Sequence, residues 1–172
     1  KWSLRCGWCS ARHPQGLASR LCPACAGPLE VNVDREPLAA RPGRASLRDS
    51  SLPGIWAWFD LLPILDRAKV VSLGEGNTPL LQARRLGEDL GIGTLLLKDE
   101  SRNPTGSFKD RMLTVGVTRA VELGFGTVAV QSSGNVGAAA AAYAAKAGLR
   151  AKILVPRTAP PEKILQAQMY GA

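Results

Sequence analysis

The sequence predicts an α/β fold that is built on parallel strands and is preceded by a small metal-binding head. Apolar, β-prone runs alternate with helical patterns between residues 70 and 170, and glycines or prolines separate them. Strand, helix and strand at these lengths favour a parallel sheet. The head is predicted by four cysteines that fall in two close pairs near the start of the chain.

The head, residues 1–30, contains the pattern C-x2-C, twelve residues, C-x2-C. Each pair can direct two thiolates at one centre, and four thiolates suit tetrahedral zinc. Two disulfides or four unrelated thiols are the alternatives; a reducing compartment disfavours the first and the paired spacing disfavours the second. Because four sulfurs leave no open coordination position, the zinc is predicted to be structural, and His13 is predicted to be an exposed loop residue. The predicted ligands are Cys6, Cys9, Cys22 and Cys25.

Residues 31–55 are predicted to form a linker or a loosely draped arm, since Arg, Pro, Ser and Ala dominate their first part and periodicity is weak. A dense apolar patch at residues 53–63 follows. Its aromatic residues Trp56 and Trp58 are predicted to anchor a core rather than to contact a cofactor.

Short strands are predicted at residues 70–73 and 94–98, with a helix over 81–90 between them. The turn from Gly74 to Leu80 carries glycines that permit tight turning. Further along, the pattern predicts a helix from Lys109 to about Leu123, a strand at 127–131, a helix over 138–147, a strand at 151–155 and a last helix ending near Tyr170.

Lys109 occupies an unusual position for a lysine, because it begins a helix after a loop rich in Pro, Gly and Asn. The N–H groups of a helix N-terminus create a positive field that disfavours a cation and tolerates a neutral or imine-linked amine. Lys109 is therefore a candidate Schiff-base lysine. The alternative is a surface lysine at a helix start.

Three ordered motifs carry a resemblance to a known family: G-E-G-N-T-P-L at 74–80, N-P-T-G-S-F-K-D-R at 103–111 and S-S-G-N at 132–135. Together they resemble fold-type II pyridoxal-phosphate enzymes, and threonine synthases in particular, some of which carry a zinc-ribbon-like head. The resemblance implies the parallel three-layer sheet of the tryptophan-synthase-β-like class, incomplete in this chain. It also implies that residues 56–106 begin the large domain and that residues 107–172 form part of the small α/β domain.

The resemblance implies a pyridoxal 5'-phosphate site in which Lys109 is the catalytic residue, binding the cofactor aldehyde and then acting as a base at the substrate Cα. Asn135 is expected to donate its amide N–H to the phenolic oxygen of the cofactor, and Phe108 to pack behind the loop. The turn after the strand at 127–131 can form a nest for a substrate carboxylate, the alternative being an N-capped helix without a ligand. The expected substrate-binding residues are Ser132, Ser133, Gly134, Asn77 and Thr78.

The chain departs from the family pattern in two respects. Val136 stands where many relatives carry Thr, and no glycine-rich phosphate loop follows Asn135. Members of the family are about twice as long, as two domains require. The chain is therefore predicted to be a fragment that binds pyridoxal phosphate poorly and does not turn over by itself.

The predicted activity of the complete protein is conversion of O-phosphohomoserine and water to threonine and phosphate. Another enzyme of the same cofactor class, a threonine or serine dehydratase or a cysteate-synthase-like enzyme, is the first alternative. A zinc-ribbon binding module attached to a degenerate domain is the second. Dehydratases usually carry Arg-Gly one residue after the lysine, whereas Asp110, Arg111 and Met112 follow here, and the head also favours threonine synthase.

The amino-acid composition limits which partners and which cellular location the sequence predicts. The hydrophobic fraction of 45% and the charged fraction of 21% are typical of a globular protein, and neither a membrane-length apolar run nor a signal peptide is seen. A cytoplasmic protein without a membrane partner is predicted, with a small amino-acid phosphate as substrate and a homodimer as a candidate assembly of the full-length protein. The net charge of +8 arises mainly from arginines scattered among Pro, Gly and Ser near the start, so nucleic-acid binding is not expected.

Overall fold

The computed structural model describes residues 2–34, 43 and 48–172, and leaves the side chain of Lys163 undescribed. About half of the predicted linker at residues 31–55, namely residues 35–42 and 44–47, lies outside the described residues. Its first residues, however, belong to a strand of the head, because Leu29–Val33 pairs antiparallel with Trp2–Cys6. The boundary predicted after residue 30 is therefore too early.

The head is a three-stranded antiparallel sheet in the order β2-β1-β3. Strand β1 spans Trp2–Cys6, β2 spans Arg12–His13 and β3 spans Leu29–Val33. The centre of β1 joins both neighbours, since Leu4 lies opposite His13 on one side and Val31 on the other. The sheet places both cysteine pairs at one end, where Cys6 is buried.

The middle of the chain contains a wide antiparallel hairpin. Strand β4, Leu80–Gln82, pairs with β5, Leu96–Lys98, and helix α1, Arg84–Asp89, lies between them. The parallel arrangement predicted for this stretch is wrong: the N–H of Ala83 donates to the carbonyl of Leu95 at 2.9 Å, so the antiparallel ladder continues to the edge of the helical excursion.

The strand predicted at residues 70–73 does not form, because side chains of the later helix at Lys109–Glu122 take up its backbone groups. The N–H of Val71 donates to Thr118 Oγ1 at 2.9 Å, and Thr114 Oγ1 donates to the carbonyl of Val71 at 2.7 Å. Both threonines are buried. A segment whose polar groups are already satisfied in this way needs no partner strand.

The last part of the chain follows the predicted order of helices and strands. Strands β6 and β7 pair in parallel, with Thr127 opposite Arg150 and Gln131 opposite Leu154, so the parallel α/β prediction is confirmed here. The elements are α2 Lys109–Glu122, β6 Thr127–Gln131, α3 Asn135–Lys146, β7 Arg150–Leu154 and α4 Pro161–Met169.

The main core lies between helices α2 and α3. Leu113 and Val117, one turn apart on α2, pack in one cluster with Ala139 and Tyr143, one turn apart on α3. Because α2 turns directly into the strand at Thr127–Gln131 and α3 leaves that strand by another short turn, both helices run antiparallel to it and have their N-termini at the same end. The buried alanines of α3 bring its backbone close to its neighbours.

A second core lies under a 3-10 helix at Gly54–Leu61 and includes Ile55, Trp56, Phe59 and Ile64. Trp56 is completely buried, as predicted, whereas Trp58 is 38% exposed and is not a core anchor. Within the described residues, no helix combines the length and apolarity that spanning a membrane requires.

Candidate functional site

Lys109 is the first residue of helix α2, as the sequence predicts, and its side chain is half-buried. Its Nζ lies 4.0 Å from the centroid of the Phe108 ring, and its backbone N–H donates to Ser107 Oγ at 3.3 Å. Phe108 is 55% exposed, so it does not pack behind the loop as expected. The ring instead contacts the amine from the solvent side.

The loop before Lys109 is closed by a buried carboxylate. Asp110 is fully buried and accepts hydrogen bonds from the N–H of Thr105, at 3.3 and 3.2 Å to its two oxygens, and from Thr105 Oγ1 at 2.7 Å. Asp110 fixes the path of the chain into α2 from inside the protein.

The loop is also joined to the Gly74–Leu80 turn. Asn103 is buried, its Oδ1 accepts from the N–H of Gly76 at 3.0 Å, and its Nδ2 donates to Glu100 Oε2 at 3.0 Å. The first and second family motifs are therefore held together by direct contacts, and the turn that carries Asn77 and Thr78 lies beside the Lys109 loop.

Arg111 strengthens this junction. Its Nε donates to Glu100 Oε2 at 2.7 Å and its second guanidinium nitrogen donates to Oε1 at 2.8 Å. Thr78 Oγ1 donates to Glu100 Oε1 at 2.7 Å. The hydrogen bonds from Arg111 lower the pKa of the Glu100 carboxyl to about 2. Thr78 is buried with its hydroxyl committed to this network, whereas Asn77 is exposed with φ at 49°.

The third motif forms the turn between β6 and α3. Gly134 is the N-cap of α3, and no side chain caps this helix start, so the capping alternative is not what the structure shows. Asn135, the first residue of α3, is exposed. A cleft of about 130 Å³ opens beside the turn, with helix α4 on its other side; its lining includes Ser132, Ser133, Gly134, Ile164 and Ala167.

Lys109 and Asn135 begin helices α2 and α3, and both helices start towards the carboxyl end of β6. The residues that line the cleft include Ser132, Ser133 and Gly134, but not Lys109 or Asn135. The Gln166 amide of helix α4 donates to the carbonyl of Thr105 at 3.4 Å, which joins the cleft side of the site to the lysine loop. Open sheets of this kind bind their ligands at the carboxyl ends of the strands.

Sequence reasoning missed the buried polar residues beneath this end. Glu75 and Tyr143 are fully buried, and Tyr143 donates its hydroxyl to Glu75 Oε2 at 2.8 Å. Burial, followed by the contact with Glu75, raises the pKa of Tyr143 well above its usual range. The available signal was a charged residue between two glycines, Gly74 and Gly76, where a plain turn has no need of one.

The four predicted metal ligands converge. Their Sγ atoms all lie within 4.8 Å of one another, with Cys6 and Cys25 at 3.4 Å and Cys9 and Cys22 at 3.7 Å. Tetrahedral zinc with Zn–S bonds of about 2.3 Å sets its sulfurs about 3.8 Å apart, so the cluster fits this ion. The N–H groups of Cys9 and Trp8, each 3.4 Å from Cys6 Sγ, help to lower the pKa of that thiol to about 6.

His13 is not the exposed loop residue that was predicted. It lies in strand β2, is half-buried, and its Nε2 is 3.3 Å from Cys22 Sγ. Pairing with Leu4 across the sheet sets the position of the imidazole ring. The residue contacts a thiol of the cluster without adding to the four sulfurs.

Comparison with known proteins gives a consistent result. Residues 71–172 match the family described as "Pyridoxal-phosphate dependent enzyme". The threonine synthase of Methanocaldococcus jannaschii is 44% identical over 149 residues, which are 86% of this chain and 36% of that protein. The threonine synthase of Methanosarcina acetivorans is 40% identical over 172 residues, 99% of this chain and 41% of that protein. The chain thus spans less than half the length of these curated relatives.

Solved structures agree on the fold. A pyridoxal 5'-phosphate-dependent aspartate racemase superposes with a TM-score of 0.53 at 32% identity, covering 55% of this chain and 30% of that one. An O-acetylserine dependent cystathionine beta-synthase from Helicobacter pylori superposes with a TM-score of 0.50 at 26% identity, covering 63% and 36% respectively.

Proposed function

We propose that this chain, which belongs to the pyridoxal-phosphate dependent enzyme family, is the N-terminal part of a threonine synthase that converts O-phosphohomoserine and water to threonine and phosphate. The observation that carries the proposal is 40% identity to a threonine synthase over 99% of the chain, a span that includes the cysteine head. Elimination of phosphate followed by addition of water places the enzyme among the lyases.

Lys109 would bind the cofactor aldehyde and then move the proton at the substrate Cα. Pyridoxal phosphate, when bound, supplies the electron sink that stabilises negative charge at that carbon. The residues fit the attachment of this group: Lys109 begins helix α2, where the field of the helix tolerates a neutral or imine-linked amine, and the loop before it is fixed by hydrogen bonds to buried Asp110. Asn135 would donate its amide N–H to the phenolic oxygen, and Phe108 would cover the amine from outside.

The turn at the start of α3 is the proposed site for the substrate carboxylate. An uncapped helix start offers N–H donors and a positive field to an anion. Ser132, Ser133 and Gly134 supply this turn beside the cleft. Asn77 and Thr78, on the turn that is joined to the Lys109 loop, would form a separate rim of the substrate site. The phosphate loop and the partner of the pyridine nitrogen would come from a part of the complete protein outside these 172 residues, so this length alone is proposed to be inactive.

The remaining assignments rest on the cysteine cluster and on the resemblance of the sequence motifs. Zinc bound by the four thiolates would hold the head together, and the large and small domains would begin at residues 56 and 107. A cytoplasmic homodimer without nucleic acid as a partner is the proposed state of the complete protein.

The test is substrate turnover by the complete protein. Purified full-length enzyme should release phosphate from O-phosphohomoserine and form threonine, whereas Lys109→Ala should lose about a hundredfold to ten-thousandfold in rate and the visible absorbance of lysine-bound cofactor. Residues 1–172 alone should release none. Formation of 2-oxobutanoate from threonine, with no reaction of O-phosphohomoserine, would instead establish a dehydratase.

A further inference from the structure

Glu75 lies at the centre of a buried hydrogen-bond network that joins separate parts of the chain. Its side chain is completely buried, and its two oxygens accept from Trp56 Nε1 at 2.8 Å, Ser72 Oγ at 3.1 Å, the N–H of Leu73 at 3.0 Å and the Tyr143 hydroxyl at 2.8 Å. Buried carboxylates are retained only where several donors replace the lost water. The network therefore fixes the position of this carboxylate.

The donors come from segments that otherwise lie apart in sequence. Trp56 belongs to the 3-10 helix at Gly54–Leu61, and Tyr143 belongs to α3, the helix that begins with Asn135. Trp56 Nε1 also donates to Thr114 Oγ1 at 3.1 Å, which brings in α2, the helix that begins with Lys109. One carboxylate thus connects both helices of the proposed site.

The backbone around Glu75 is equally constrained. The N–H of Ile55 donates to the Glu75 carbonyl at 3.2 Å, and a Cβ at Gly54 would lie 1.8 Å from that oxygen. Gly76 has φ at 94° and leads directly into Asn77 and Thr78. Displacement of Glu75 would therefore move the rim that these two residues form.

We propose that Glu75 is a positioning residue: its buried carboxylate sets the distance between the Asn77–Thr78 rim and the helices that begin with Lys109 and Asn135. This inference rests on the proposed function, since the rim is a proposed substrate contact. Glu75 itself does not contact substrate. It acts on substrate binding through the turn that it holds.

The experiment compares Tyr143→Phe and Glu75→Gln in the full-length protein, with Tyr170→Phe as the matched control. Tyr143→Phe deletes one hydroxyl from the network and keeps the packed ring, so the fold should survive even if Glu75→Gln does not fold. Tyr170 lies at the end of α4 and is not placed in the site. Steady-state kinetics with O-phosphohomoserine and amide hydrogen exchange of residues 72–80 are measured for each protein.

Tyr143→Phe should raise KM about tenfold, with cofactor absorbance retained and kcat little changed, because a hydrogen bond to a buried charge is lost. Exchange at residues 72–80 should accelerate in Tyr143→Phe and not in Tyr170→Phe. Unchanged exchange at these residues in Tyr143→Phe overturns the inference, and so does a KM equal to that of the control. If the unmodified enzyme does not use O-phosphohomoserine, the proposed function fails, while the exchange measurement still decides the role of Glu75.

Discussion

If the four thiols of the head hold a metal ion, its removal should unfold the head and leave the rest of the described chain intact. Among residues 2–34, the buried apolar side chains are only Trp2, Cys6 and Cys22, and two of these are proposed metal ligands. So small a core cannot hold three strands in place without a further constraint. The four sulfurs, 3.4 to 3.7 Å apart in their closest pairs, provide that constraint when they share one ion.

The expected loss of amide protection in the head follows from the free energy that a zinc ion contributes to folding. Structural zinc contributes about 10–16 kcal/mol to the folding of comparable metal-stabilised domains. Since each 1.4 kcal/mol corresponds to about a tenfold change in an equilibrium, a loss of about 10 kcal/mol corresponds to about seven powers of ten, and amide protection in β1 and β3 should disappear on metal removal. Protection in α2, β6 and α3 should change little, because their core does not include the head.

The assay combines metal analysis with hydrogen exchange on the purified protein. One zinc per chain is expected before treatment with a strong chelator, and Cys22→Ser should lose the metal without chelator. Ser3→Ala, on strand β1, is the control because it leaves all four thiols in place. Metal-free protein that keeps slow exchange in β1 and β3 would refute the reasoning, as would full zinc occupancy in Cys22→Ser.

Three further outcomes can be measured. His13→Ala should release zinc to a competing chelator about tenfold to a hundredfold faster, because partners that contact a metal ligand typically contribute this much; an unchanged release rate would rule out such a role. Trp56→Phe should lower the free energy of unfolding in urea by about 2 kcal/mol, since it deletes an N–H shared by two buried acceptors, and a loss below about 0.5 kcal/mol would contradict this. Arg111 lowers the pKa of the Glu100 carboxyl from 4.5 to about 2. The pairing of Glu100 with Arg111 therefore stabilises the fold above pH 4.5, and this stabilisation is lost as the pH falls toward 2. Glu100→Gln should flatten the dependence of stability on pH between 4.5 and 2, by about 1 kcal/mol or less because the pair is partly exposed to solvent.

Features set by local sequence were predictable. Helix α2 begins at Lys109 because a Pro- and Gly-bearing loop ends there, and it closes near Gly124, whose φ of 76° suits a helix end. The parallel pairing of β6 with β7 was predictable for the same reason, since an alternating strand–helix–strand pattern lies between residues 127 and 154. The convergence of the four cysteines was predictable from their spacing in the sequence alone.

Features set by distant contacts were not predictable. The segment at residues 70–73 looks like a strand, yet Thr118 and Thr114, more than forty residues away, satisfy its backbone. Trp56 and Trp58 look equivalent in sequence, but Trp58 lies at a kink of the 3-10 segment, where its φ of −106° and ψ of 30° are not helical. They therefore face different directions, and Phe59, one turn after Trp56, takes the buried position instead.

The contacts between the head and the rest of the described chain lie far from the loop around Lys109. The guanidinium of Arg119 donates to the carbonyl of Gln15, lies 5.3 Å from the Trp2 ring centroid and pairs with Glu122 at 2.7 Å. Arg119 is ten residues after Lys109, roughly 15 Å further along the axis of α2. The loop around Lys109 is held by Asp110 and by the turn at residues 74–80, neither of which contacts the head through these groups. If the four thiols hold zinc, loss of the ion would remove the contacts of the head with Arg119 while α2 and the geometry around Lys109 remained, which is the behaviour expected of a structural ion.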